Sequence, residues 1–440
     1  MQGFRLLIVL RLSVREEKES WMIGRILSVI LSLGFTLASS RSAAESSNDI
    51  SLLDRVLIAT QIYHQITTFY PELDRRQFDH DYHEYLAQIL GPSNDRRAFD
   101  LASMALVATL HDGHTWFYDS WLDRNYGQPV GFSVYPWEGG WVVVSSQLDS
   151  VTVGDVIQAI DGTLTQQYFE QSRKYISASS DRDGGTSFFD TPVVFPERFT
   201  LTLDGGRKVV IDREHDKKQQ TAPKTAGRWL VPGSVGYIKV PTFHGFETQT
   251  AALDYLRQFH DAGTVILDVR GNPGAGDPGM LQRNLMDKPY PMWSEQSAMH
   301  GGFLLRAYDI AYPEMSHVST GDATIRPRGQ PVFSGRLILL IDRGCSCACE
   351  DFVMPFKIIH RAQLLGETTA GTFSFTNHTQ FENGMMLNIA SVRHTFPDGS
   401  RFEGIGIAPD VEIHSTIPDL KAGKDVVLDR ALAMATKYAR

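Results

Sequence analysis

Asp342-Arg343-Gly344-Cys345-Ser346-Cys347-Ala348-Cys349-Glu350-Asp351-Phe352 is the stretch on which the architecture turns. Before it, Arg336 to Ile341 is a short apolar run bounded by charge, the pattern of a buried strand. After it, Phe352 and Phe356 fall on one face of a helix starting near Ala348, with Pro355 expected to distort it. A strand running through a small-residue turn into a helix places Cys347 beside the positive end of that helix. A thiol there is expected to have a lowered pKa and to favour thiolate. Glu350 and Asp351 suit a first helical turn. The competing reading is that the three cysteines merely pack.

Those three cysteines are all that the chain has. An exported protein stapled by disulfides would spread its cysteines, so the cluster is not expected to be a disulfide framework. A Cys-x-Cys-x-Cys run could hold a soft metal. No Cys or His pair at zinc spacing accompanies it, so neither metal nor cofactor is expected.

Working outward, 440 residues exceed one typical core, so two or three domains are expected. A net charge of −9 argues against a nucleic-acid partner, whose footprint would be basic and clustered. Near the N-terminus, Ile23 to Ala38 is almost wholly apolar or small, with Arg25 near its front. Ser42 and Ala44 then occupy the minus-three and minus-one positions of a cleavage site, which makes residues 1–44 a signal-peptide region. A single uncleaved anchor is the alternative, although the stretch is short for a span. Arg15 to Glu19 suit no signal, whereas a start at Met22 would give a conventional one. The protein is therefore expected to be exported, to a periplasmic or extracellular place, with no other segment able to cross a membrane.

Residues 45–125 read as a helical domain. Leu52, Val56, Ala59, Ile62 and Ile66 recur at helical spacing, as do later apolar residues up to Leu110. Ser93 or Asn94 could cap the last of these helices. Residues 126–215 read as β-rich, with hairpin signals at Glu138-Gly139-Gly140 and Asp204-Gly205-Gly206. Within them, Gly154-Asp155-Val156-Ile157-Gln158-Ala159-Ile160-Asp161-Gly162 resembles the matching segment of a PDZ domain, which would bind an extended peptide at a sheet edge. An unrelated small β-domain is the alternative. The carboxylate-binding loop of such domains would fall near Pro129 to Ser133 and is loosely matched. A polar linker follows at Lys217 to Thr225. Residues 226–440 are α/β, with strands expected at Tyr237 to Val240, Thr264 to Val269, Arg336 to Ile341, Gln363 to Leu365 and Met386 to Val392.

Three further stretches carry candidate chemistry. In Leu110-His111-Asp112-Gly113-His114-Thr115, a glycine beside a histidine just past a helix would expose the imidazole, although a structural histidine is the commoner case. In Ile266-Leu267-Asp268-Val269-Arg270-Gly271-Asn272-Pro273-Gly274-Ala275-Gly276, a buried strand runs into a glycine-rich loop whose N–H groups could meet a developing anion. The alternatives are a tight turn or a phosphate loop, and the latter lacks its Gly-Lys-Ser/Thr ending. From Phe396 to Asp410, Glu403 lies in a glycine-rich turn, where it could orient a histidine or be ordinary surface charge.

Taken in order, these blocks resemble the tail-specific, or C-terminal processing, protease family over about Leu52 to Leu432. The resemblance rests on Gly236 to Phe243, Asp268 to Ala275, Cys347 to Glu350, Gly366 to Gly371 and Glu403 to Asp410. It implies a ClpP/crotonase-like ββα core with an N-terminal helical lead-in and an inserted PDZ-like β domain. It also implies peptide or unfolded-protein substrates. The family's nucleophilic serine corresponds to Cys347, and the lysine of its serine–lysine branch corresponds to Thr372, which excludes that dyad. His114 and Glu403 fit the histidine and acid of the tricorn-like branch. Gly113 stands where that branch has a supporting serine, and Ala275 replaces the loop's second glycine.

The resulting expectation is acyl transfer with Cys347 as nucleophile, His114 as base and Glu403 holding the imidazole. Gly274 and Ala348 would supply the oxyanion N–H groups, with Gly271 the alternative to Gly274. Ser346 is the fallback nucleophile. An inactive protease fold that only binds peptides, and a crotonase-like acyl-CoA enzyme, are the other readings.

Overall fold

The computed structural model describes residues 47–215, 223–299 and 316–437. The expected signal region and the choice between Met1 and Met22 lie outside the described residues.

Three helices come first: α1 (Leu52–Phe69), α2 (Arg75–Ile89) and α3 (Arg96–Ala108). Their apolar positions close on one another, burying Ile58, Ile62 and Ile66 against Phe78, Tyr85, Phe99 and Leu106. Asp95, rather than Ser93 or Asn94, caps α3, its carboxylate accepting the Arg97 N–H at 3.0 Å. Ser93 instead accepts the Asp95 N–H and so shapes the approach to the cap.

The chain then passes His114 and enters β1 (Trp116–Asp119). Arg96 and Asp119 form a fully buried ion pair, which ties the start of α3 to the end of β1. The second region is an antiparallel sheet of β2 (Phe132–Trp137), β3 (Gly140–Ser146), β4 (Val156–Ile160), β5 (Arg198–Leu203) and β6 (Lys208–Asp212), in that spatial order. It closes over an aromatic core that includes Trp141, Phe169, Phe188, Phe195 and Phe199.

The third region is built on β7 (Ala226–Val231), β8 (Val235–Lys239), β9 (Thr264–Asp268), β10 (Arg336–Ile341), β11 (Ala362–Gly366), β12 (Met385–Ala390) and β13 (Val411–Glu412). All but β12 join one sheet in the order β13-β11-β10-β9-β8-β7, parallel except for the β7–β8 hairpin. Every residue of β9 is buried, as a parallel strand covered on both faces requires. One face packs Val265, Leu267, Leu337 and Leu339 under α4 (Phe246–Gln258) and α5 (Ala348–Ile358). The other packs Ile266, Ile338 and Leu340 against Val427, Ala431 and Ala435 of α6 (Val426–Lys437). This alternation with period two is what the continuous apolar runs encode.

Two placements matter for function. Strands β9 and β10 are parallel neighbours, so the loops leaving their carboxyl ends emerge side by side. Strand β12 pairs antiparallel with β1, Trp116 opposite Asn388. That pairing brings the lead-in region, and His114 with it, onto the third region. No helix among the described residues is long and apolar enough to cross a membrane.

Candidate active site

The loop after β10 is a sharp turn into α5. Asp342 organises its start, accepting N–H groups from Gly271 at 2.7 Å and Gly344 at 3.0 Å and the Tyr135 hydroxyl at 3.0 Å. Cys345 and Cys349 are joined by a disulfide, contrary to the expectation from their clustering. The turn sets Cys349 in the first turn of α5, and the Cα atoms of the pair end 5.4 Å apart, inside bridging range. Cys347 is left as the free thiol between them. It is the N-cap of α5, with φ 55° and ψ −123°. A non-glycine residue held there costs roughly 1–3 kcal/mol, the kind of strain that collects at functional turns.

The loop after β9 lies directly against this turn. A Cβ on Gly274 would stand 2.6 Å from the Ala348 nitrogen and 2.8 Å from Cys347 Cβ, so only glycine permits the approach. The backbone N–H groups of Ala348 and Ala275 favour the charged form of the Cys347 sulfur. The Gly274 N–H instead donates to Asn272 Oδ1 at 2.8 Å, and the Gly271 N–H is taken by Asp342. In this loop it is the Ala275 N–H, one residue after Gly274, that favours charge on the sulfur. Ala275 itself has φ 61°, a left-handed conformation.

The thiol is not acidified as expected from the helix end. Burial raises its pKa above the ordinary thiol value, and the Glu350 and Asp351 charges add to the rise, outweighing the two N–H groups. The acidic first turn thus offsets the helix dipole at this sulfur.

His114 sits just before β1, its carbonyl accepting from Asn388 Nδ2 at 2.6 Å and its N–H bound to Asp112 Oδ1 at 2.8 Å. Burial pulls its imidazole down to about 4, with His394 contributing, so the ring is neutral at pH 7. Its Nδ1 lies 3.0 Å from Thr372 Oγ1. The Thr372 carbonyl accepts the Cys347 N–H at 2.9 Å. Among the described residues no hydrogen bond joins the Cys347 sulfur directly to the His114 ring. Thr372 bridges the two segments.

Glu403 was expected to hold the imidazole, and it takes another place. Its carboxyl accepts the Ser179 hydroxyl in a short bond and the Phe373 N–H at 3.4 Å. Burial, and then the charge of Asp112, raise it well above the usual carboxylate range. Ser179 in turn accepts the Gly113 N–H at 2.9 Å. Glu403 therefore reaches the His114 segment through Ser179, not through the ring. Sequence reasoning had no signal for Ser179, which lies in an unremarkable serine run of the second region.

Glu350 is wholly buried and holds the 369–372 segment, accepting Thr369 Oγ1 at 2.5 Å, Gly371 N–H at 2.7 Å and Thr372 N–H at 2.9 Å. Burial lifts it to about 8 despite these three donors. Arg182 clamps the same segment from the second region, donating to the carbonyls of Thr369 and Ala370 at 2.7 and 3.1 Å. Ser346 gives its backbone N–H to the Asn272 carbonyl at 3.1 Å. A cleft of about 1080 Å³ runs beside the two loops, lined by Tyr135, Trp137 and Val142 on one side and Gly271, Pro273 and Gly344 on the other.

Residues 234–413 match the model of peptidase family S41. The chain is 23% identical over 231 residues to a probable CtpA-like serine protease of Staphylococcus epidermidis, covering 50% of this chain and 43% of that protein. It is 25% identical over 216 residues to one of Staphylococcus aureus, covering 49% and 40%. It thus spans about two fifths of the length of these relatives. Among solved structures, it is similar to mature CPAF complexed with lactacystin, with a TM-score of 0.65 at 14% identity over 88% of this chain and 99% of that one. It is similar also to the photosystem II D1 C-terminal processing protease, with a TM-score of 0.53 at 17% identity over 82% and 93%. These likenesses show the fold, and they agree with the α/β core and the order of blocks. Residues 234–413 thus match the peptidase family S41 model, and the chain shares the fold of a C-terminal processing protease.

Proposed function

We propose that the chain hydrolyses peptide bonds of peptide or unfolded-protein substrates by acyl transfer. Cys347 attacks the carbonyl carbon while His114 takes its proton, and the ring later returns that proton to the leaving amine. The N–H groups of Ala348 and Ala275 receive the oxyanion. The observation that carries this reading is a free thiol on a strained residue at a helix N-cap, packed against the glycine-rich loop at Gly274, with the Ala348 and Ala275 N–H groups favouring charge on its sulfur.

The protonation states define the mode of catalysis. With the thiol raised and the imidazole at about 4, the resting pair is neutral, so the thiol is deprotonated as it attacks. This is general-base catalysis of the kind serine enzymes use. The cleft beside the two loops is the path for an extended chain, and the edge of the second region's sheet, if PDZ-like, captures its end. Export to the periplasm or the cell exterior follows from the N-terminal signal pattern. Sequencing of the mature N-terminus checks it, and a native chain beginning at Met1 would refute cleavage.

The test is kcat on a panel of unstructured peptides. Cys347→Ala retaining full activity would reject the assignment. A second reading, an inactive fold that binds peptides, draws on the raised thiol pKa and the absent Cys347–His114 hydrogen bond. Tight peptide binding with no turnover by the wild-type protein would favour it.

A further inference from the structure

We infer that Thr372 is the positioning residue of His114, its hydroxyl accepting the Nδ1–H and so leaving the lone pair on Nε2 for the nucleophile's proton. The inference rests on the hydrolytic reading above and deepens it.

Three observations carry it. First, His114 Nδ1 and Thr372 Oγ1 are 3.0 Å apart, and this is the one side-chain hydrogen bond to the ring among the described residues. A neutral imidazole that acts as a base must protonate the other nitrogen and give that proton an acceptor. Glu403, the acid that might have done so, spends its carboxyl on Ser179 and Phe373. Second, Thr372 is immobilised for the task. It is buried, its N–H is bound to Glu350 at 2.9 Å, and its carbonyl receives the Cys347 N–H at 2.9 Å. One residue therefore fixes the nucleophile's backbone through its carbonyl and the base's ring through its hydroxyl. Third, the space beside the imidazole is kept for this hydroxyl. A Cβ added to Gly113 would stand 2.7 Å from Thr372 Oγ1, so a side chain at 113 would displace it.

The chemistry balances without a further reactant. The thiol proton moves to Nε2 as sulfur bonds to carbon, the ring becomes imidazolium with Nδ1–H still on Thr372, and Nε2 gives the proton to the amine when the C–N bond breaks.

The test combines kinetics with a measurement that needs no turnover. Thr372→Val keeps the shape and both backbone bonds and removes the hydroxyl. It is expected to lower kcat by about 10- to 100-fold with KM nearly unchanged, the cost of a misplaced base. Thr372→Ser should recover most of kcat. Separately, the 15N shifts of His114 in wild-type protein should show the Nδ1–H tautomer at pH 7, the signal being assigned by its absence in His114→Phe. In Thr372→Val the two tautomers should mix. Wild-type kcat in Thr372→Val, or an Nε2–H ring in the wild type, would overturn the inference. If Cys347→Ala keeps full activity the hydrolytic reading falls, and the tautomer still decides whether Thr372 sets the ring. Should Thr372→Val not fold, the wild-type tautomer together with the kcat of Thr372→Ser decides the matter.

Discussion

Cys347 combines two opposed environments. Two N–H groups favour its charge, and burial with two nearby carboxylates opposes it. The balance predicts slow alkylation by iodoacetamide at pH 7, rising about tenfold per pH unit into the alkaline range, past the point where an ordinary thiol levels off. Measuring the alkylation rate against pH checks this, and a plateau below pH 7 would mean a preformed thiolate. The same balance makes Cys347→Ser far less damaging than Cys347→Ala, which should cost about four orders of magnitude or more in kcat. A site that deprotonates its nucleophile during attack accepts a hydroxyl. One that relies on a resting thiolate would not. Ala275 is the other sensitive residue. Ala275→Gly relieves its left-handed strain but loosens the loop whose N–H favours charge on the sulfur. The expected result is an unchanged or slightly raised Tm with kcat reduced several-fold, both read on purified protein.

At the scale of elements, the site is made where loops from two parallel strands meet. Gly274 is the contact point. Gly274→Ala would force Ala348 and Cys347 apart at a backbone with φ 88°, and it is expected to abolish activity while leaving the far-UV circular dichroism intact. The disulfide clamps the elbow on its other side. Closing so short a loop is worth about 2 kcal/mol in the chain-entropy account. Alkylation followed by mass spectrometry should find one labelled cysteine per denatured chain before reduction and three after. Three without reduction would exclude the Cys345–Cys349 bond. Breaking it by Cys345→Ala/Cys349→Ala should lower Tm by several degrees.

Across the whole molecule, buried carboxyls set the response to pH. Glu350 is lifted to about 8, Asp351 to about 7 and Asp112 to about 6, each chiefly by burial. Each binds a proton in the folded chain that the unfolded chain has released, so folding loses stability as pH rises from about 4.5 to 8. His114, depressed to about 4, acts in the opposite sense between about 4 and 6.5. Three acids outweigh one base, so Tm should be higher near pH 5.5 than at pH 8. A thermal series in matched ionic strength checks this, and Glu350→Gln should shrink the difference. Tm rising steadily to pH 8 would contradict it. The second region also reaches the site, through Ser179 and Arg182. Ser179→Ala removes the link from Glu403 to the Gly113 backbone and should reduce kcat more than it reduces Tm.

Much of the fold was legible because burial writes itself into periodicity. The runs at Thr264 to Val269 and Arg336 to Ile341 read as buried strands, and both are strands in the fold. The sequence by itself therefore determined the buried strands and the turn that carries Cys347, whereas His114 came into view through the family resemblance. It could not determine who touches whom. The Cys345–Cys349 bond, the turning of the Gly274 N–H onto Asn272 and the contact of Thr372 with His114 all depend on backbone directions within tight turns, which residue type hardly constrains. Ser179 and Glu403 lie 224 positions apart. Their meeting follows from strand pairing across the chain, which only the tertiary structure decides.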